Sequence, residues 1–146
     1  MILSERRPVG VIKAELLEKN FRKVMIVACN GCARFCETGG EAYLNELSER
    51  LAQDGFEIKK KLVPMLCDVD MIKKMIDYQE VEDVDCIITL GCIAGEYAIR
   101  KLFPGKPIIE GADTIGMAIR DEKGNIFLVK DLRSSLEDVR RNVLKY

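Results

Sequence analysis

The sequence predicts a small α/β domain with a three-layer, Rossmann-like or flavodoxin-like parallel sheet, followed by a C-terminal β-hairpin and helix. Short apolar runs alternate with segments of helical periodicity, a pattern typical of strands joined by right-handed helical crossovers. The length of 146 residues suits one domain with a buried core. We therefore expect residues 1–146 to form a single cysteine-rich α/β domain, with a leading helix in 1–22, the sheet core in 23–112, and the hairpin and C-terminal helix in 113–146.

The first predicted elements are a helix and a buried strand. Residues 4–20 are expected to form the leading helix, because Pro8 suits a first turn and Ile12 and Leu16 recur at helical spacing. Residues 24–28 (VMIVA) form a continuous apolar run of the kind that parallel sheets bury on both faces. A turn rich in cysteine and glycine follows this strand.

The next helix and strand are predicted from capping and charge patterns. Thr38 and Glu41 are three residues apart, which indicates a capping box at the start of a helix. Gly55 is the expected stop of that helix. Residues 56–64 are predicted to form the second strand, and charges at alternate positions favour a place near the sheet edge.

Two further helix and strand pairs complete the predicted parallel sheet. Asp68 is expected to cap a helix over residues 69–78. Residues 86–90 (CIITL) are predicted to form a third, buried strand, and the helix over 94–102 follows it after a tight turn. Residues 107–110 are expected to form a short fourth strand after the helix-breaking segment FPGKP.

The C-terminal part of the chain is predicted to leave the parallel sheet. Residues 115–120 and 126–130 flank DEKGN, a segment suited to a β-hairpin turn. Ser134 and Glu137 indicate a second capping box, from which a helix is expected to run to about Lys145.

Composition excludes several classes of protein. A formal net charge of −1, with basic residues scattered along the chain, gives no field suited to nucleic acid or to an anionic membrane. No apolar run approaches the ~20 residues of a membrane span, and the N-terminus lacks the apolar core of a signal peptide. We therefore expect a cytoplasmic location, where cysteines serve more often as ligands or reactive thiols than in disulfides. With no histidine in the chain, imidazole catalysis and imidazole metal ligation are excluded.

Five of the six cysteines are predicted to meet at one edge of the sheet. Strand-to-helix turns of a parallel sheet all lie at its carboxyl edge, where ligands bind. The predicted metal ligands lie in three such turns: Cys29, Cys32, Cys36, Cys67 and Cys92. Cys86 begins the third strand, roughly 20 Å away at ~3.3 Å per residue, and is expected to be a buried apolar side chain.

Glycines accompany these cysteines and are predicted to help bind the cofactor. Their backbone N–H groups can approach sulfur or an anionic ligand closely. The predicted cofactor-binding glycines are Gly31, Gly39, Gly40 and Gly91. A phosphate or flavin cradle is an alternative, although neither GxGxxG nor a P-loop is present. Four carboxylates near the same edge are interpreted as helix caps and solvated groups rather than an acid–base pair: Glu37, Glu41, Glu96 and Glu110.

The cysteine spacing favours a [4Fe–4S] cluster over zinc. Zinc sites often show two compact CxxC knuckles, whereas this chain has one CxxCxxxC cluster and two isolated cysteines. Iron–sulfur sites often combine closely spaced cysteines with a remote one. Five candidates for four ligand positions leave one thiol to spare, and the residues alone do not select it.

Several motifs together resemble the methylenetetrahydrofolate reductase C-terminal domain family. They are RPVGVIKAELL, KVMIVACNGCARFCETGGE, PMLCDVDMI, TLGCIAGE and GADTIG, and they cover roughly residues 8–117. The resemblance implies a small cysteine-rich partner subunit of the flavin-containing reductase, with the five cysteines named above as family ligands. It further implies heterodisulfide-reductase-like or ferredoxin electron donors.

The leading functional hypothesis is therefore a non-catalytic, metal-cluster-binding accessory subunit that transfers electrons to the flavoenzyme or scaffolds it. One alternative is a structural zinc domain that docks a partner. Another is an enzyme that uses a thiolate or zinc-thiolate for methyl or sulfur transfer, since the fifth cysteine leaves a thiol free for chemistry.

Overall fold

The computed structural model describes residues 1–143 as two sheets with helices around them. The strands are β1 (Ile2–Arg6), β2 (Lys23–Cys29), β3 (Glu57–Val63), β4 (Cys86–Leu90), β5 (Ile108–Glu110), β6 (Ala112–Arg120) and β7 (Ile126–Asp131). The helices are α1 (Val9–Glu18), α2 (Cys32–Phe35), α3 (Gly40–Gln53), α4 (Val69–Met75), α5 (Tyr78–Glu82), α6 (Ile93–Leu102) and α7 (Leu136–Val143), and a 3₁₀ turn (Arg133–Ser135) precedes α7.

The parallel sheet confirms the predicted fold class. Its strand order is β3-β2-β4-β5, so the chain adds β3 on one side of β2 and then β4 and β5 on the other side. This is the flavodoxin-like order, in which the first parallel strand lies between the second and third. β4 is buried at every position, as its apolar sequence predicts, whereas β3 lies at the edge, as its charges predict.

Helices cover both faces of this sheet and give the three layers. On one face α1 and α3 pack against the sheet through residues such as Leu16 and Leu47. On the other face α4, α5 and α6 pack through residues such as Ile72 and Ile99. Because both faces are covered, the apolar side chains of β2 alternate between two separate cores. Among residues 1–143, no helix is both long and apolar enough to cross a bilayer.

The prediction of a helix from residue 4, within a helical segment 1–22, is wrong at its beginning. Residues 2–6 form β1, which pairs antiparallel with β6, and the predicted hairpin of β6 and β7 completes a three-stranded sheet. Pro8 lies at the N-cap of α1 with φ −55° and ψ 135°, an extended conformation that separates strand from helix. The pairing partner of β1 lies more than 100 residues downstream, so local periodicity carries no sign of it.

Other boundaries also differ from the sequence-based expectation. Thr38 does not cap α3, because its hydroxyl bonds to Ser4 and to the carbonyl of Ala33 instead. The helix expected over 69–78 ends at Met75 and a separate α5 follows, whereas the predicted cap at its start is confirmed.

The C-terminal helix begins after the residue predicted to cap it. Ser134 lies in the 3₁₀ turn, and α7 starts at Leu136. The predicted end of this helix at Lys145 lies outside the described residues.

Candidate functional site

The carboxyl ends of three adjacent parallel strands, β3, β2 and β4, lie side by side where the strand order reverses. Cys29 ends β2 and lies in register with Val63, the last residue of β3. Leu90, the last residue of β4, lies in register with Ala28 on the other side of β2. Asn30 continues the pairing by donating its backbone N–H to the carbonyl of Val63 at 2.8 Å. The loops that leave these strands therefore emerge side by side, at the place where open α/β sheets bind ligands.

Cys29 is the buried centre of this edge. Its sulfur accepts a hydrogen bond from the backbone N–H of Gly31 at 3.4 Å and another from that of Leu66 at 3.4 Å. The first donor belongs to the loop after β2 and the second to the loop after β3. Both loops thus donate a hydrogen bond to one sulfur atom. In iron–sulfur proteins, hydrogen bonds to the ligand sulfurs help set the reduction potential of the cluster.

Cys67 and Cys92 lie near this centre. Burial raises the pKa of the Cys92 thiol, and negative charge on Cys29 and Cys67 raises it further, against the N–H groups of Gly95 and Ala94. Partial burial likewise raises the pKa of Cys67, with Cys29 and Cys32 adding to the effect. Cys67 therefore feels the charge of Cys29 and Cys32, and Cys92 feels that of Cys29 and Cys67, across the carboxyl edge.

Cys36 has a different environment from the other predicted ligands. Its thiol donates a hydrogen bond to the carbonyl of Ile2 in β1 at 3.6 Å. It is not among the main groups that raise the pKa of Cys67 or Cys92. The structure thus links Cys36 to the antiparallel sheet through its bond to β1.

Cys86 lies at the opposite rim of the sheet. It begins β4 and is fully buried between α1, α3 and the neighbouring strands. Burial, followed by the charge of Asp85, raises the pKa of its thiol to about 12. A thiol in that setting behaves as a small apolar side chain, as expected from its position.

The four predicted glycines divide into two pairs. Gly31 donates its N–H to the sulfur of Cys29, and a Cβ atom on Gly91 would lie 3.4 Å from the Cβ of Cys29, so both touch the central cysteine. A Cβ atom on Gly39 would lie 2.7 Å from the carbonyl oxygen of Cys29 and 2.8 Å from that of Leu90. Gly40 has φ +75°, a conformation that side chains disfavour. Gly39 and Gly40 therefore allow the start of α3 to lie close to the ends of β2 and β4.

The donor set fits a thiolate-bound centre, although the side chains do not enclose one as they stand. Within residues 1–143, no three His, Cys, Asp or Glu side chains lie close enough together to hold a metal ion. The cysteines at this edge are all free thiols. Thiolates are the ligands that zinc and iron–sulfur clusters select, so the chemistry of the residues agrees with either group.

One carboxylate near the carboxyl edge of the sheet is buried, although the sequence predicted a solvated group. Glu96 lies in the first turn of α6, is 4% exposed, and pairs with Arg100 at 2.7 Å. Burial, followed by the charge of Glu110, raises the pKa of Glu96 to about 7. Glu110 in turn pairs with Arg7 at 3.0 Å and with Arg140 at 3.1 Å.

The expectation that these two carboxylates are solvated groups is therefore wrong. The sequence carries one sign that Glu96 is buried. Its neighbours in the helix include an isoleucine and an alanine before it and another alanine after Tyr97.

Comparisons of this chain with models of protein families, with curated proteins and with solved structures found no match. The resemblance to the methylenetetrahydrofolate reductase C-terminal domain family stays a prediction that rests on the cysteine and glycine motifs.

Proposed function

We propose that the chain is a non-catalytic accessory subunit whose Cys29, Cys32, Cys67 and Cys92 hold a metal centre at the carboxyl edge of the parallel sheet. The observation that supports this most strongly is that the ends of β2, β3 and β4 bring these cysteines to one edge of the sheet, where N–H groups of two loops bond to the sulfur of Cys29. Negative charges held close together oppose one another's ionisation. A bound metal relieves that repulsion, so metal binding and thiol ionisation favour each other.

We favour a [4Fe–4S] cluster over zinc as the bound group. The chain lacks the second compact CxxC knuckle that zinc sites often show, and the two N–H groups on the sulfur of Cys29 suit a cluster ligand. When bound, such a cluster supplies one-electron transfer. The protein's part is to fix the central sulfur, limit water around it, and leave Cys32 and Cys67 at the outer side.

The partner we propose is a flavin-containing reductase of the methylenetetrahydrofolate reductase type. A heterodisulfide-reductase-like protein or a ferredoxin is the proposed electron donor. Support comes from apolar side chains exposed beside the thiols, Phe35 at 42% and Met65 at 44%. The guanidinium groups of Arg34 and Arg120 lie 4.6 Å and 4.7 Å from the ring centre of Phe35. Exposed aromatic and arginine side chains of this kind are common at protein interfaces.

Anaerobic purification followed by analysis of iron, sulfide and zinc tests this function. We expect about four iron and four sulfide per chain, with the visible absorption of a cluster that bleaches on reduction. Stoichiometric zinc without sulfide would reject electron transfer and leave the zinc docking domain. Absence of both metals from protein purified and reconstituted under anaerobic conditions would reject the metal centre altogether.

A further inference from the structure

The antiparallel sheet presents an apolar face that no part of residues 1–143 covers. Along β6, Thr114 and Ala118 are 5% and 3% exposed, whereas Met117 and Ile119 are 49% and 59% exposed. Side chains of a strand alternate between the two faces of its sheet. One face of β6 is therefore packed on the body of the protein and the other is open.

The neighbouring strands extend the open face. Phe127 of β7 pairs with Ile119 and is 51% exposed, and Ile2 of β1 pairs with Met117. Residues paired directly across antiparallel strands lie on the same face. Val129, at the irregularity in the edge strand β7, is a further apolar side chain at the border of this face and is 62% exposed. We call this surface the hairpin face: Ile2, Ile115, Met117, Ile119, Phe127 and Val129.

The hairpin face is extensive enough to be an interaction site. Its side chains present on the order of 500 Å² of apolar area, and the largest apolar patch of a protein surface, ~300–600 Å², is often functional. Two such faces packed together would bury about 1,000 Å², which is the lower bound for a specific interface between proteins. Apolar β-sheet faces pack in this way, about 10 Å apart, in β-sandwiches.

Charges of both signs surround the apolar centre. Glu5 pairs across the sheet with Asp113, and Lys130 pairs with Met117. The pKa of Arg133 is raised first by its bond to Asp131 and further by the charge of Glu5. A rim of mixed sign gives no field for nucleic acid or an anionic membrane. It does suit a two-fold interface, in which each charge of one copy can meet its opposite on the other.

We infer that the hairpin face is the dimer interface of this protein, closed by the same face of a second copy. The two antiparallel sheets pack face to face about a two-fold axis. Met117, which is paired on both sides, lies at the centre of the contact. Ile119 and Phe127 extend the contact toward the hairpin turn, and the charged residues form its rim. The inference does not depend on the metal centre, because no predicted ligand belongs to the hairpin face.

Sedimentation of the anaerobically purified protein across micromolar concentrations tests this interface. We expect a dimer for the native chain. Phe127→Lys and Ile119→Lys should each raise the dissociation constant of the dimer by about 100-fold or more, because each substitution occurs twice in a two-fold interface. Leu17→Lys is the matched control, because Leu17 is 49% exposed on α1, and it should leave the dimer intact.

Three outcomes would overturn the inference. The first is a native chain that stays monomeric, which would assign the hairpin face to another protein. The second is a dimer that survives both substitutions in the hairpin face or is lost equally in the Leu17 control. The third is slowed hydrogen exchange along the free edge of β7 on dimerisation, since that would indicate edge-to-edge strand pairing rather than face-to-face packing.

Discussion

Cys29 shows how one residue can organise a site that its neighbours in sequence cannot complete. The sulfur is buried at the end of a strand and is bonded by N–H groups from two loops, one of which lies 37 residues away. The sequence indicates the turn that contains Cys29, because CxxCxxxC follows an apolar run. It does not indicate the bond from Leu66, which depends on the parallel pairing of β2 with β3.

The sequence also could not show which four of the five predicted cysteines are the better candidates for metal ligands. Cys32 and Cys36 are four residues apart on the same short segment, so spacing treats them alike. Their environments diverge only because β1 passes beside α2 and offers the carbonyl of Ile2 to Cys36.

Gly39 should tolerate no side chain. Gly39→Ala would place a Cβ atom 2.7 Å and 2.8 Å from two backbone carbonyl oxygens, so α3 would have to move away from the sheet. We expect a loss of about 2–4 kcal/mol in the free energy of unfolding, measured by urea denaturation. Gly10→Ala in α1 is the control, since a Cβ there meets nothing within 4 Å. A loss at Gly39 no larger than at Gly10 would contradict the described packing.

Glu96 should make stability depend on pH. Its pKa rises from 4.5 to about 7 on folding, so the folded state holds the proton more tightly than the unfolded chain. Between those two values unfolding releases a proton, and the free energy of unfolding falls as the pH rises.

Glu96→Gln removes the titrating group and should flatten that dependence by on the order of 2 kcal/mol. Denaturation series at pH 5 and pH 8 measure it. An unchanged pH dependence in the variant would show that Glu96 is not the responsible group.

At the scale of elements, the sequence predicted β2, β4 and the hairpin well and β1 poorly. A buried parallel strand is a continuous apolar run, and a hairpin carries its turn residues between its strands, so both signals are local. β1 is short, partly exposed, and depends on pairing with β6 far downstream. α5 was missed because the apolar periodicity of α4 extends to Ile76, where the backbone turns extended before Asp77 opens a new helix.

The start of α4 is an element boundary that one side chain controls. A carboxylate oxygen of Asp68 accepts the backbone N–H groups of Asp70 at 2.9 Å and Met71 at 3.3 Å. Asp68→Ala should cost about 1 kcal/mol of unfolding free energy, whereas Asp68→Asn should keep most of it. Equal losses for both substitutions in urea denaturation would argue against a capping role.

At the scale of the whole molecule, the metal centre and the fold should stabilise each other. The proposed ligands belong to three loops that only the assembled parallel sheet brings together. Ligand binding to the folded state alone raises its stability. Anaerobic removal of the metal should therefore lower the melting temperature by several degrees, measured by circular dichroism. An unchanged melting temperature would mean that the loops are held equally well without the metal.

The most direct test of the proposed centre compares Cys32→Ser with Cys36→Ser, two substitutions in one short segment. Each variant is purified anaerobically and its bound iron, sulfide and zinc are measured per chain. We expect Cys32→Ser to lose the metal, because Cys32 is one of the four proposed ligands, and Cys36→Ser to retain it, because its thiol bonds to β1. Retention by Cys32→Ser together with loss by Cys36→Ser would contradict it.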